Sequence, residues 1–185
     1  MAFINGNPNW IDCRVVYWGP GFAGRTTNLQ YIHAHTNPDA RPELVFVADA
    51  GRHVLSLWLG ELRGHKLRLH LHTGPGAVVD DVALMRVVRG IDGVVFVADS
   101  QEARMEANLY WLEQLAASLA SAGLAIDRVP LVFQYNKRDV PGALPVAELD
   151  AALNPGKRPA FEAVATTGVG VLETLRAASK LVLPR

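Results

Sequence analysis

The chain has 185 residues and no net charge; half of its residues are apolar and 19% are charged. This composition excludes a disordered chain and gives no basic surface for nucleic acid. The length fits a single domain, residues 1–185. We find neither a signal peptide nor an apolar run long enough to span a membrane. We therefore expect a cytoplasmic protein in which the one cysteine, Cys13, is a buried thiol.

Apolar runs alternate with helical patterns along the chain. Leucines alternate with polar residues on both sides of Arg63-Gly64, which predicts a hairpin at a sheet edge. The alternation of strands and helices predicts an α/β fold, with a mostly parallel central sheet and helices on both faces. The other predicted strands are 13–18, 44–48, 94–98, 131–135 and 161–165, and the predicted helices are 25–35, 102–122, 146–153 and 169–183.

Residues 19–26, G-P-G-F-A-G-R-T, match the phosphate-binding loop G-x-x-x-x-G-K-[ST] except at position 25. The loop follows a predicted strand and begins a predicted helix, as the motif requires. Its backbone N–H groups and the helix dipole favour an anion, although an ordinary tight turn is the alternative. Arg25 keeps the charge of the usual lysine but not its shape. The candidate phosphate-binding residues are Gly19, Gly21, Ala23, Gly24, Arg25, Thr26 and Thr27, and the Thr26 hydroxyl is also the candidate Mg²⁺ ligand.

Residues 136–139 match N-K-x-D, a guanine-recognition motif. The Asp139 carboxylate can accept hydrogen bonds from the ring N–H and the amine of guanine, a pair of donors that adenine lacks. We expect Asn136 to brace the surrounding loops and the Lys137 stem to cover the base. A charged turn after a strand is the simpler alternative, but the phosphate loop upstream favours the guanine interpretation.

Together these motifs resemble the MglA type of bacterial Ras-like small GTPases, over about residues 10–183. Three further stretches share the resemblance: 89–100, 134–139 and 162–166. It implies a three-layer P-loop fold, a GTP/GDP switch with Mg²⁺, and a role in gliding motility and cell polarity. It also implies that Ala165 and Thr166 contact guanine and that Gly76 contacts phosphate. The implied partners are a roadblock-domain regulator of the MglB type and polarity effectors.

The departures from this family fall where hydrolysis takes place. Arg52 matches the family's arginine finger, but His53 replaces the threonine that follows it, and imidazole is a poor substitute for a Mg²⁺-contacting hydroxyl. Ala77 stands where a glutamine orients the attacking water. The connection between the hairpin arms is also shorter, which puts the usual register shift of this family in doubt.

Three functions therefore remain open at the level of the sequence. The favoured one is a GTP-binding regulator with slow or absent hydrolysis. The others are an active GTPase, in which a partner positions the water, and a protein-interaction scaffold that binds no nucleotide.

Several other polar and aromatic residues have simpler interpretations. His70 and His72 share one strand face and could bind a metal, but a solvated face is favoured. Asp49 lies near the predicted site and could approach Mg²⁺ through water, but an ordinary solvated carboxylate is favoured. Trp58 on the hairpin is a candidate partner contact, with core packing as the alternative.

Overall fold

The computed structural model describes residues 9–40, 42–47, 52–74, 84 and 87–183. Seven strands form one sheet in the order β2-β3-β4-β1-β5-β6-β7. The strands are β1 Trp10–Trp18, β2 Glu43–Val47, β3 Arg52–Leu62, β4 His65–Thr73, β5 Gly93–Asp99, β6 Leu131–Asn136 and β7 Ala160–Glu162. The α-helices of the described ranges are α1 Arg25–His35, α2 Met105–Ser121, α3 Val146–Leu153 and α4 Val171–Val182, and 3₁₀ turns cover Pro38–Ala40 and Glu102–Arg104.

The sheet is parallel from β4 to β7 and antiparallel at the other edge. β1 pairs in parallel with β4 and β5, and β6 continues the parallel ladder to β7. β2, β3 and β4 pair antiparallel, with β2 outermost and the β3–β4 hairpin next to it. The hairpin turns at Arg63 and Gly64, both of which have positive φ. The predicted α/β fold with an antiparallel edge is thus confirmed.

Helices cover both faces of the sheet, which completes the predicted three layers. On one face, apolar residues of α2 and α3 such as Leu115 and Leu149 pack against β5 and β6. On the other face, Leu29 of α1 and Val171 of α4 pack against the opposite sides of the same strands. β5 is buried along its whole length, as a central parallel strand between two helical layers must be. No helix of the described residues is long and apolar enough to cross a membrane.

Most predicted boundaries hold within a few residues, and the exceptions have local causes. The strand predicted over 161–165 is wrong beyond Glu162, because Val164 turns back to pair with Val169. α4 therefore begins at Val171, after Gly170 in the left-handed region. The predicted 102–122 helix begins with a 3₁₀ turn before α2. Cys13 is fully buried, as predicted, and burial raises the pKa of its thiol to about 11.

The entry to α4 depends on glycine at position 170, which can be compared with glycine at position 123. Gly170 and Gly123 both have positive φ. A Cβ at Gly170 would collide with the backbone carbonyl of Glu162, whereas a Cβ at Gly123 would meet no heavy atom within 4 Å. We expect Gly123→Ala to lower the free energy of unfolding by about 1 kcal/mol and Gly170→Ala by about 3 kcal/mol or more. Urea denaturation measures both, and equal losses would contradict the predicted collision.

Candidate nucleotide-binding site

A cavity of about 190 Å³ lies at the carboxyl ends of the parallel strands. Three segments that are distant in sequence line it, drawn from residues 22–27 of the glycine loop, 136–140 after β6, and 164–166 after β7. Ligands of parallel sheets bind at this edge. The fold therefore brings the phosphate-loop motif and the guanine motif to one site.

Asn136 joins these three segments through its buried side chain. Its Nδ2 donates to the carbonyl of Ala23 at 2.7 Å, and its Oδ1 accepts from the N–H of Ala165 at 2.9 Å. The side chain passes so close to Gly24 that a Cβ there would collide with Nδ2. Glycine at position 24 is thus required both by this approach and by its φ of 101°. The Ala165 N–H predicted for guanine is used by Asn136 in this structure, while Thr166 lines the cavity beside it.

The ammonium group of Lys137 is held by a buried carboxylate. Nζ lies 2.7 Å from Oδ2 of Asp99, and both the backbone N–H and Nε2 of Gln101 donate to the other oxygen of Asp99 at 3.1 Å. Arg104 approaches the same carboxylate and donates to the carbonyl of Gly21 at 2.9 Å. The sequence reasoning missed Asp99 and Arg104, although both lie in or beside the family-like stretch 89–100.

Asp139 is exposed and lines the cavity, so its carboxylate is accessible. Its neighbour Arg138 is held aside, because it donates to Glu162 at 2.9 Å and to the carbonyl of Leu144 at 2.6 Å. The two adjacent side chains therefore have different roles. Arg138 ties loops together, and Asp139 remains available to a ligand.

The glycine loop leads directly into α1, as the motif requires. Gly19 must be glycine, since its φ is 139° and a Cβ would collide with the carbonyl of Val97. Thr27 lines the cavity, and Thr26 is the second residue of α1 and half-buried. No cluster of three His, Cys, Asp or Glu ligands occurs within the described ranges. The assignment of Mg²⁺ to Thr26 stays a prediction.

Arg25 follows a different course from its neighbours in the loop. Only 7% of it is exposed, and Nη1 donates to the carbonyl of Gly74 at 2.8 Å. Its guanidinium carbon lies 6.0 Å from the ring centroid of Trp111. Burial lowers the pKa of Arg25 to about 10, so the side chain is charged at neutral pH. Arg25 does not line the cavity that Thr27 and Asp139 share.

Arg52 and His53, which stand at the positions of the family's arginine finger and the threonine after it, belong to a strand. Arg52 begins β3 and pairs with Val47 of β2. The N–H of His53 donates to Oγ1 of Thr73 at 2.8 Å, and the His53 ring lies against Phe46. This start of β3 is therefore tied to the end of β4. Gly76, Ala77 and Asp49 lie outside the described residues.

The solvated face predicted for His70 and His72 is wrong for His72, whereas the His70 side chain is 20% exposed. His72 is 8% exposed, and burial, with Arg14 and Arg52 nearby, lowers its pKa to about 3. His70 contacts Oδ1 of Asp12 at 3.2 Å and Ser56 at 2.8 Å. Trp58, on the adjacent strand, is half-buried. Alternation in the sequence marks which residues share this sheet face, but not how deeply they are covered.

The fold and the site define a class before any comparison is made. A parallel sheet whose first strand leads through a glycine loop into a helix, with N-K-x-D at the end of β6, is that of a P-loop small GTPase. No protein-family model matches the chain. The chain is 48% identical over 188 residues to the mutual gliding-motility protein MglA of Myxococcus xanthus (strain DK1622), covering 99% of this chain and 96% of that protein. The chain therefore belongs to the MglA-type family of Ras-like small GTPases.

The buried His72 predicts a pH dependence of stability. The pKa of His72 is about 3 in the folded state, against 6.5 ordinarily. Between these pH values His72 is protonated in the unfolded chain and neutral in the folded chain. Stability from this residue is complete above pH 6.5 and is lost as the pH falls from 6.5 toward 3. Between pH 7.5 and 5 we expect a loss of about 2 kcal/mol from this source.

Urea denaturation at the two pH values tests this. His72→Gln should show a smaller loss than the parent protein by about 2 kcal/mol. His33→Gln is the control, because His33 is an exposed residue of α1. An unchanged pH dependence in His72→Gln would contradict the assignment.

Proposed function

We propose that this protein is a guanine-nucleotide-binding regulator of gliding motility and cell polarity in which GTP hydrolysis is slow or absent. The motility role is supported by the family and by the name of the relative that is 48% identical. Nucleotide binding is supported above all by one observation. Residues from 22–27, 136–140 and 164–166 line the same cavity.

The loop around α1 fits the phosphates of such a nucleotide. Gly19 and Gly24 both lie where a Cβ would collide with a neighbour, so the backbone is packed closely and its N–H groups can face an anion. The N–H groups of the loop and Thr27 would bind the phosphates, and the Thr26 hydroxyl would hold Mg²⁺. The Mg²⁺ ion, when bound, neutralises phosphate charge.

Guanine selectivity is assigned to Asp139. We expect Asp139→Asn to weaken GDP binding about 100-fold, because the amide keeps one uncharged acceptor and turns its NH2 donor toward the guanine amine. Xanthine nucleotides should bind more tightly to the variant, because an amide can donate to the carbonyl that xanthine has in place of the amine. Calorimetry with GDP, XDP and ADP measures this.

The control for Asp139→Asn is its melting temperature without nucleotide. Asp139 is exposed, so the nucleotide-free variant should melt at the temperature of the parent protein. Equal binding of GDP and ADP by the parent protein would contradict the assignment.

Slow hydrolysis is expected because Ala77 replaces the glutamine that orients the attacking water. Alanine neither orients nor polarises water, and Arg52 stabilises charge without aligning a nucleophile. We expect single-turnover hydrolysis at about 10⁻⁴ s⁻¹ or below. Ala77→Gln should raise this rate about tenfold, whereas Ala77→Ser, which lacks the amide, should not.

The effect of a partner can be measured in the same single-turnover hydrolysis assay. We propose that a roadblock-domain regulator of the MglB type binds the GTP-loaded protein without restoring rapid hydrolysis. Hydrolysis at rates of about 1 s⁻¹ with this partner would establish an active GTPase instead. Failure to bind GTP or GDP at high micromolar concentration with Mg²⁺ would establish a scaffold.

A further inference from the structure

Arg25 occupies the position from which the phosphate-loop motif directs a cation at the nucleotide. Its guanidinium is instead enclosed by protein groups. Nη1 donates to the Gly74 carbonyl at 2.8 Å, and the side chain is almost completely buried. The contact joins the first residue of α1 to the residue that follows β4.

The groups next to this guanidinium are themselves held by hydrogen bonds and packing. Trp18 is fully buried and donates from Nε1 to the carbonyl of Trp111 at 2.8 Å, and the two rings meet edge to face. The Trp111 ring also lies near the guanidinium. Gly74 is fixed from its other side, because its N–H donates to the carbonyl of Tyr17 at 2.9 Å.

The absence of a side chain at position 74 is part of this arrangement. A Cβ on Gly74 would lie 3.1 Å from Cε3 of Trp18 and 3.5 Å from Nη1 of Arg25. The Trp18 ring is held in place by its own hydrogen bond and has little freedom to retreat. A Cβ at position 74 would therefore press on the Trp18 ring, while Nη1 of Arg25 would lie at ordinary contact distance.

We propose that Arg25 is a positioning residue that fastens the phosphate loop to Gly74 whether or not a nucleotide is bound, and is not a phosphate ligand. The inference rests on the proposed function only in taking residues 19–27 as the phosphate-binding loop. Gly74 directly follows β4, so the contact ties the first residue of α1 to the end of that strand. The position of Gly74 is then set by contacts within the protein and does not report on the terminal phosphate.

The first test measures stability and affinity separately, on Arg25→Met and Arg25→Lys. Without nucleotide, Arg25→Met should melt about 3–8 °C lower than the parent protein, since the buried Gly74 carbonyl loses its donor. Arg25→Lys, which keeps the charge but lacks the fork and its reach, should show a smaller fall. Arg128→Met is the matched control, because Arg128 is 85% exposed and pairs only with its neighbour Asp127 among the salt bridges of the described residues.

Nucleotide affinity distinguishes the two roles of the cation. GDP and GTP should bind both Arg25 variants within about threefold of the parent protein. An affinity loss of about tenfold or more with an unchanged melting temperature would make Arg25 a phosphate ligand and overturn the inference.

Hydrogen exchange at the Gly74 amide, compared with the amides of the central strand β5 in the same sample, supplies a readout that a general loss of stability would not move. Relative to β5, the Gly74 amide should be equally protected with and without GTP in the parent protein, and its protection should come to depend on GTP in Arg25→Met. Protection that requires GTP in the parent protein would overturn the inference. If neither the parent protein nor the variants bind guanine nucleotide, the proposed function fails. The melting temperatures of the Arg25 variants without nucleotide still decide whether Arg25 fastens the loop to Gly74.

Discussion

The candidate site depends on one buried amide, that of Asn136. Its two polar atoms bind the Ala23 carbonyl and the Ala165 N–H, so one side chain sets the distance between the glycine loop and the loop after β7. Both partners are backbone groups that would be costly to leave unpaired in the interior. A second buried network lies two residues earlier on the same strand, where Gln134 exchanges hydrogen bonds with Asn28 of α1 and donates to Thr174 of α4. Together they fix the helices that flank the site relative to the sheet.

Features that depend on neighbouring residues were predictable from the sequence. The bounds of α1 follow from Gly24 before it and Asn37-Pro38 after it, and β5 follows from an uninterrupted apolar run. For these elements the physical cause is local, because turn chemistry and hydrophobic periodicity act over a few residues. The guanine motif was recognised differently, by its residues and by the presence of the phosphate loop upstream.

Features that depend on distant contacts were not predictable. The role of Asp99 is set by Lys137, which lies 38 residues away in the sequence. His72 alternates with apolar residues as a solvated residue would, yet it is buried. The direction of Arg25 depends on Trp111 and Gly74, neither of which is close to it in sequence. A motif gives the residue at a position, whereas the packing around it decides where the side chain points.

The two ends of the site therefore differ in kind. At the guanine end, Asn136 and Asp139 keep the motif, and the structure gives one a bracing role and leaves the other accessible. At the phosphate end, the substituted Arg25 is directed into the protein and donates to the Gly74 carbonyl, so its charge serves a contact between α1 and the residue that follows β4. The site therefore combines an accessible carboxylate at the motif that matches guanine recognition with a buried cation at the motif that matches phosphate binding.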